Sequence, residues 1–426
     1  MIRRNPWIRI LLMAFIMYTI SYIDRTNISL AIPGMEKSLG LTAAAIGFAT
    51  GIFSFGYLIL QIPAGRLAST KSAKNVILGL LLAWGLVSLS TAFVHSGLEL
   101  TINRFVLGLV EGGVLTSAII LISHWFPREQ RARANMVFLL SLPMASVIAN
   151  PISGIILHSY GWQAMFIIEA IPAFIWAILW YFLIADSPAK ASWLPAAQRD
   201  ALTARLEAEN AEMPPITGHW TKAIFHPATI WLTLMNFFAL IGNYGFTIWL
   251  PSFLSDMHLP IQSVGLLSAV PYLVGAILLL VFALSSDHFH ERKWHMILPT
   301  AASGVFMILA VVVAPKNLFI TMVFLSLANG AFYARFGAFW TLPSEILPAE
   351  VLGVSIAVVN GVGNLGGFVG PYVSGLVRTS THNFNASFIF LGAMLIIGAL
   401  LAIPIPLVQF ARRPAPSKIA MEVAAE

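Results

Sequence analysis

Two short stretches place acids and bases where the surrounding sequence is otherwise apolar. In Tyr22-Ile-Asp-Arg-Thr-Asn-Ile28, Asp24 and Arg25 are neighbours; in Arg104-Phe-Val-Leu-Gly-Leu-Val-Glu-Gly112, Arg104 and Glu111 stand two helical turns apart. Charges at bilayer depth are costly, so they face a protein interior or a wet cavity and mark a pathway. A guanidinium is a planar, bidentate partner for a carboxylate, which makes Arg25 and Arg104 candidate ligands for an anionic substrate. Burial favours the neutral form of a carboxyl, which makes Asp24 and Glu111 candidates for loading and releasing protons. A structural alternative stays open: Asp24 and Arg25 on one side and Arg104 and Glu111 on the other neutralise one another and pin helices one and four together. The alternatives are compatible, because protonating either acid would free an arginine.

The elements that must hold these residues are legible in the composition. Of 426 residues 58% are hydrophobic and 10% charged, with a mean hydropathy of +0.84. A soluble chain would carry about 25% charged residues, so this is a polytopic membrane protein. There is no cysteine, which excludes a disulfide framework and thiolate metal sites. The pI near 9.6 does not argue for nucleic acid, since the basic residues lie in short loops between apolar runs. The amino terminus superficially resembles a signal peptide, but its apolar run is long and holds Asp24 and Arg25, which predicts a retained first helix. No phosphate-binding loop, nucleophile elbow or zinc motif is present, so neither an enzyme nor a cofactor is expected.

Spanning the core takes about 20 apolar residues. Runs at 8–33, 44–68, 76–94, 98–125, 134–157, 163–184, 225–251, 263–285, 295–314, 318–342, 350–377 and 386–410 predict twelve spans. The expected class is an all-α membrane protein with twelve transmembrane helices in two six-helix bundles. Bundles at 1–187 and 223–426 are expected to flank a cytoplasmic linker at 188–222, whose segment 192–210 reads as an amphipathic helix. Eighteen Lys and Arg fall on the side of the termini and three on the other (Lys37, Lys316, Arg378); Arg25, Arg104 and Arg335 lie within spans. That asymmetry predicts both termini in the cytoplasm.

Helical rise sets approximate depths. Arg104 lies about 9 Å and Glu111 about 20 Å below the outer face, while Asp24 and Arg25 come about 24 Å from the cytoplasmic start of span one. Arg335 comes about 26 Å from the outer face, where it could snorkel as a gate residue or meet substrate. Lys74 and the pair Asp287 and Arg292, in equivalent loops after spans two and eight, are the other gate candidates. Tyr22, Tyr57, Asn360, Asn364 and Trp340 are candidate cavity residues; Asn360 and Asn364 are one turn apart in a glycine-rich stretch that permits close helix approach or flexing. Glu169 reads as a helix-pairing residue, and His288, His290 and His295 as a solvated loop.

Together with Trp125-Phe-Pro-Arg-Glu-Gln-Arg-Ala-Arg-Ala134, Gly161-Trp-Gln-Ala-Met-Phe-Ile-Ile-Glu169, Phe339-Trp-Thr-Leu-Pro343 and Asn360-Gly-Val-Gly-Asn-Leu-Gly-Gly-Phe-Val-Gly-Pro371, the two charged motifs give the chain its likeness. It resembles the anion:cation symporter branch of the major facilitator superfamily over almost its whole length. The resemblance implies import of bacterial organic anions with protons. Asp24 and Glu111 match the family's proton-titrating carboxylates, Arg25 and Arg104 its arginines, and Tyr22, Tyr57, Trp340 and Asn360 its cavity positions. The chain departs from the pattern at Ser69 and Thr70, where an acid–base gating pair is usual, and at Arg335, where sugar-acid members tend to have proline. The added cation would suit a dicarboxylate or a gate.

The expected function is proton-coupled import of a small organic anion, a sugar acid of the hexonate or ketogluconate type, across the inner membrane by a monomer. Tartrate-like dicarboxylates, aromatic acids and a proton-driven exporter of the same fold are the alternatives, and a non-transporting anion receptor is a reading from another class. The partners expected are the anion, protons and the bilayer, with no nucleic acid.

Overall fold

The structure is a computed structural model and describes residues 5–211, 220–313, 317–347 and 349–405. Arg3, Arg4, Lys316, Arg412, Arg413 and Lys418 from the charge count, linker residues 212–219 and the final run's 406–410 lie outside the described residues.

Among the described residues, nine apolar helical stretches are long enough to cross a membrane. Two of them, Ala43–Phe93 and Arg128–Leu183, run to 51 and 56 residues and make two crossings each. The first doubles back before the helix Ala73–Ser90, whose N-cap Ser72 is extended (φ −165, ψ 115) and accepts from the Asn75 amide. The second doubles back at Gly161 (φ 80, ψ 177), a conformation that a side chain would resist. With the shorter helix Asn385–Leu401, the chain makes twelve crossings and is an all-α membrane protein. The helix of span five starts at Arg128 rather than 134, because a polar first turn is invisible to hydropathy. The expected amphipathic segment forms the helix Ala196–Ala211, held to the first six crossings by Arg205–Glu129 (2.9 Å) and Arg131–Glu209 (3.8 Å).

Glycine decides which helices touch most closely. A Cβ on Gly108 would strike the carbonyl oxygen of Phe53, one on Gly112 that of Tyr57, and one on Gly56 that of Phe105. Spans two and four therefore meet backbone to backbone, a small-residue contact suited to lipid, where hydrophobic force between helices is absent. The second half repeats the device: Gly366 and Gly370 lie against the carbonyls of Phe237 and Ile241, seating span eleven on span seven. Of the two uses open to the glycine-rich stretch, close approach is the one observed. Gly108→Val is expected to lower the yield of monodisperse protein at least severalfold on detergent size exclusion, whereas Gly79→Ala, where a Cβ meets open space, leaves it unchanged.

The halves also meet directly at the end distal to the described termini. Arg378 on span eleven pairs with Glu36 on span one (2.6 Å) and with Asp256 after span seven (3.5 Å). The Thr379 hydroxyl accepts from the Ala44 amide at 3.1 Å, and Gly47 and Gly375 bring the backbones of spans two and eleven together.

Candidate functional site

Arg25 and Glu111 form the centre of the site. Neighbouring residues of a helix point about 100° apart, so Asp24 and Arg25 cannot share one face. Arg25 turns to span four, where Nε and Nη2 both donate to Glu111 Oε2 at 3.1 Å. Its guanidinium lies over the rings of Tyr57 (4.7 Å), Phe53 (4.9 Å) and Tyr22 (5.5 Å), held there by the glycine contact of spans two and four. Glu111 is fully buried, and its Oε1 has no hydrogen-bond partner among the described residues. An acid half-satisfied by one arginine, beside aromatic cation–π faces, can exchange that arginine for a proton.

Asp24 turns the other way. It is fully buried and accepts from Trp84 Nε1 (3.0 Å) and Ser88 Oγ (2.8 Å) on span three. Of the four charges, Arg25 and Glu111 form the pair that joins spans one and four, while Asp24 and Arg104 take neutral partners. Arg104 Nη2 donates to Thr91 Oγ1 at 2.8 Å and its carbon lies 5.8 Å over the Phe166 ring, while Nε stays without a partner. Two helical turns separate Arg104 from Glu111, too far for direct contact along one helix.

A narrow cleft borders both arginines. It is lined by Arg25, Arg104, Thr50 and Ser54 from the first half and by Tyr244 and Ile248 from the second. Tyr244, which the sequence reading missed, donates to Asn364 Oδ1 (3.2 Å), and Asn364 in turn donates to Asn360 Oδ1 (3.1 Å). Tyr57 and Tyr22 are buried around Arg25, and Trp340 packs edge-on against Phe339 (4.9 Å), half-buried, away from that cluster.

The sequence signature described as Major Facilitator Superfamily matches residues 14–371 and, overlapping them, 255–420. The chain belongs to the Major Facilitator Superfamily. It is 31% identical to a "Putative tartrate transporter" of Agrobacterium vitis over 408 residues, 94% of this chain and 90% of that one. It is equally 31% identical to a quinolone resistance transporter of Acinetobacter baumannii, over 91% of this chain and 90% of that one. The xylose transporter XylE of E. coli, in an inward open conformation, shares the fold with a TM-score of 0.77 at 16% identity, over 94% of this chain and 97% of that one. This superfamily member is a transporter and not an enzyme.

The remaining candidate residues of this superfamily member make their contacts within one half. Arg335 does not snorkel to solvent: it is 1% exposed and its guanidinium lies over the rings of Phe332, Phe336 and Phe339, whose faces offset part of the cost of burial. Lys74 Nζ donates to the Tyr181 carbonyl (2.7 Å) and its amide to Asp186 (3.0 Å), contacts within the first half. Arg292 pairs with Asp287 (2.6 Å) and Glu345 (3.4 Å), contacts within the second. Glu169 joins three helices, accepting from Ser153 Oγ (2.5 Å) and Asn27 Nδ2 (2.9 Å), as the helix-pairing reading expected.

Proposed function

We propose that this protein is a proton-coupled secondary transporter that imports a small hydroxylated organic acid, of the sugar-acid class, by alternating access. The observation that carries the reading is the buried Arg25–Glu111 pair beside a cleft that also presents Arg104. Protonation of Glu111 removes the charge that holds Arg25 and leaves both guanidiniums to take the substrate carboxylate. Asp24, held by neutral donors alone, supplies a second proton site. Tyr244, Asn364 and Asn360 offer hydrogen bonds to hydroxyls from the second half. The halves at 1–187 and 223–426 then rock about the loaded site. With the termini in the cytoplasm of a cell with an inner membrane, the distal end is the outer one, and the geometry described is closed there by Arg378.

The test is uptake of organic acids into proteoliposomes. Two protons with a monoanion carry net charge +1, worth about 2.3 kcal/mol per 100 mV, so an inside-negative potential should accelerate uptake of a monocarboxylate, whereas two protons with a dianion move no net charge. Equal rates with and without potential would count against that stoichiometry. The relative named for quinolone resistance favours a second reading, export by the same fold. Efflux of a quinolone driven by protons, with no organic-acid uptake, would establish it.

The outer closure gives a separate prediction. The chain has no cysteine, so Thr50→Cys in the cleft is a sole thiol. Removing both ion pairs with Arg378→Gln, at about 0.5–1 kcal/mol for each partly exposed pair, should speed its labelling by an impermeant maleimide from outside severalfold. Unchanged labelling would deny Arg378 a gating role.

A further inference from the structure

Arg335 is the buried cation that the coupling scheme leaves unused. It sits between the helices Leu318–Ala334 and Phe336–Thr341, with helical backbone angles of its own. Its guanidinium carbon lies 4.6 Å from the ring centre of Phe332, 4.9 Å from Phe339 and 5.4 Å from Phe336. Nη2 donates to Asn236 Oδ1 at 3.2 Å; Nε and Nη1 have no hydrogen-bond partner among the described residues.

A guanidinium stays charged in proteins, so it cannot escape this burial by losing a proton. The aromatic faces offset part of its desolvation. They do not satisfy N–H donors, and a purely structural arginine would be expected to have its fork filled by carbonyls or a carboxylate. The unfilled fork lacks a planar anionic acceptor.

Polar contacts connect it to the cleft. From Asn236, which holds Arg335, Nδ2 donates to the Val359 carbonyl at 3.2 Å. The next residue, Asn360, accepts from Asn364, and Asn364 accepts from Tyr244 in the wall of the Arg25 and Arg104 cleft. One strip of hydrogen-bonding groups thus runs along the second half from the paired arginines to the third. A hydroxylated chain lying along it would point its far end toward Arg335.

We propose that Arg335 is a specificity-determining residue that takes a second carboxylate, so that the protein selects hydroxylated dicarboxylic acids over monocarboxylates of the same length. The proposal rests on the reading above, in which Arg25 and Arg104 take the first carboxylate.

The experiment compares binding of a hexarate and the matching hexonate (glucarate and gluconate) to the purified full-length protein by calorimetry. A site built to hydrogen-bond a group discriminates strongly against an analogue that lacks it, so the wild-type protein should prefer the diacid by about 30-fold or more. Arg335→Gln should bring the affinity ratio to near one, and Arg335→Lys, which keeps the charge but not the fork, should leave an intermediate ratio. Because the readout is a ratio within one sample, a reduced folded fraction does not distort it. Equal wild-type affinities, or a ratio that survives Arg335→Gln, would overturn the inference while leaving organic-acid binding in place. Binding of neither acid, nor of shorter hydroxy acids, would overturn the parent reading as well.

Discussion

Arg25→Ala is expected to weaken organic-acid binding by at least about 100-fold, the equivalent of about 3 kcal/mol. Two losses combine. The substrate carboxylate loses a desolvated, bidentate partner, and such truncations cost about 2–5 kcal/mol. Glu111, fully buried, loses the cation that accounts for both of its hydrogen bonds at 3.1 Å, which disfavours its ionised form in every state of the cycle. Uncoupling these losses requires a second variant. In Arg25→Ala with Glu111→Gln the buried acid is neutral, so folding should recover while binding stays lost. Thermal stability reports the first and calorimetric titration the second. Normal affinity in the double variant would remove Arg25 from the site. Arg104→Ala should give a loss of the same order with less effect on stability, since its polar partners are neutral.

Asp24→Asn should leave exchange intact and abolish accumulation. The carboxylate accepts from an indole N–H and a serine hydroxyl, with no arginine within bonding distance among the described residues. An asparagine can accept from Trp84 through Oδ1 and donate to Ser88 through Nδ2, because a hydroxyl both donates and accepts. Shape and hydrogen bonds survive, and only the proton site is lost. Counterflow of labelled substrate in proteoliposomes should proceed within about twofold of wild type, since that mode moves no net proton. Uphill uptake under an inward proton gradient should fall to equilibration, a loss of about tenfold in concentration ratio for each pH unit of gradient and each proton uncoupled. Retained accumulation would assign coupling to Glu111 alone.

The helix count and the position of the loops were legible because each depends on local sequence. About 20 apolar residues per crossing and 1.5 Å per residue suffice to place Arg25, Arg104 and Glu111 inside the bilayer. The resemblance of the motifs pointed to the superfamily, which the matching signature bears out. Neither source says toward which neighbour a side chain turns. Asp24 and Arg25 are adjacent in the chain and bond to different helices; Arg25 and Glu111 are 86 residues apart and bond to each other. Arg335 came out at a depth where snorkelling was open to it, yet it lies among three phenylalanine rings. Tyr244 carried no charge to draw notice, although an aromatic hydroxyl one residue from Asn243 in a polar patch of span seven was available as a signal.

By itself the sequence determined twelve helical crossings and the polar groups at their depths, because burial in lipid forces backbone hydrogen bonds to close within each helix. The tertiary structure alone decided which of those groups meet. That choice rests on glycines that let spans two and four, and seven and eleven, touch backbone to backbone, and contact between distant helices has no period that a single chain displays.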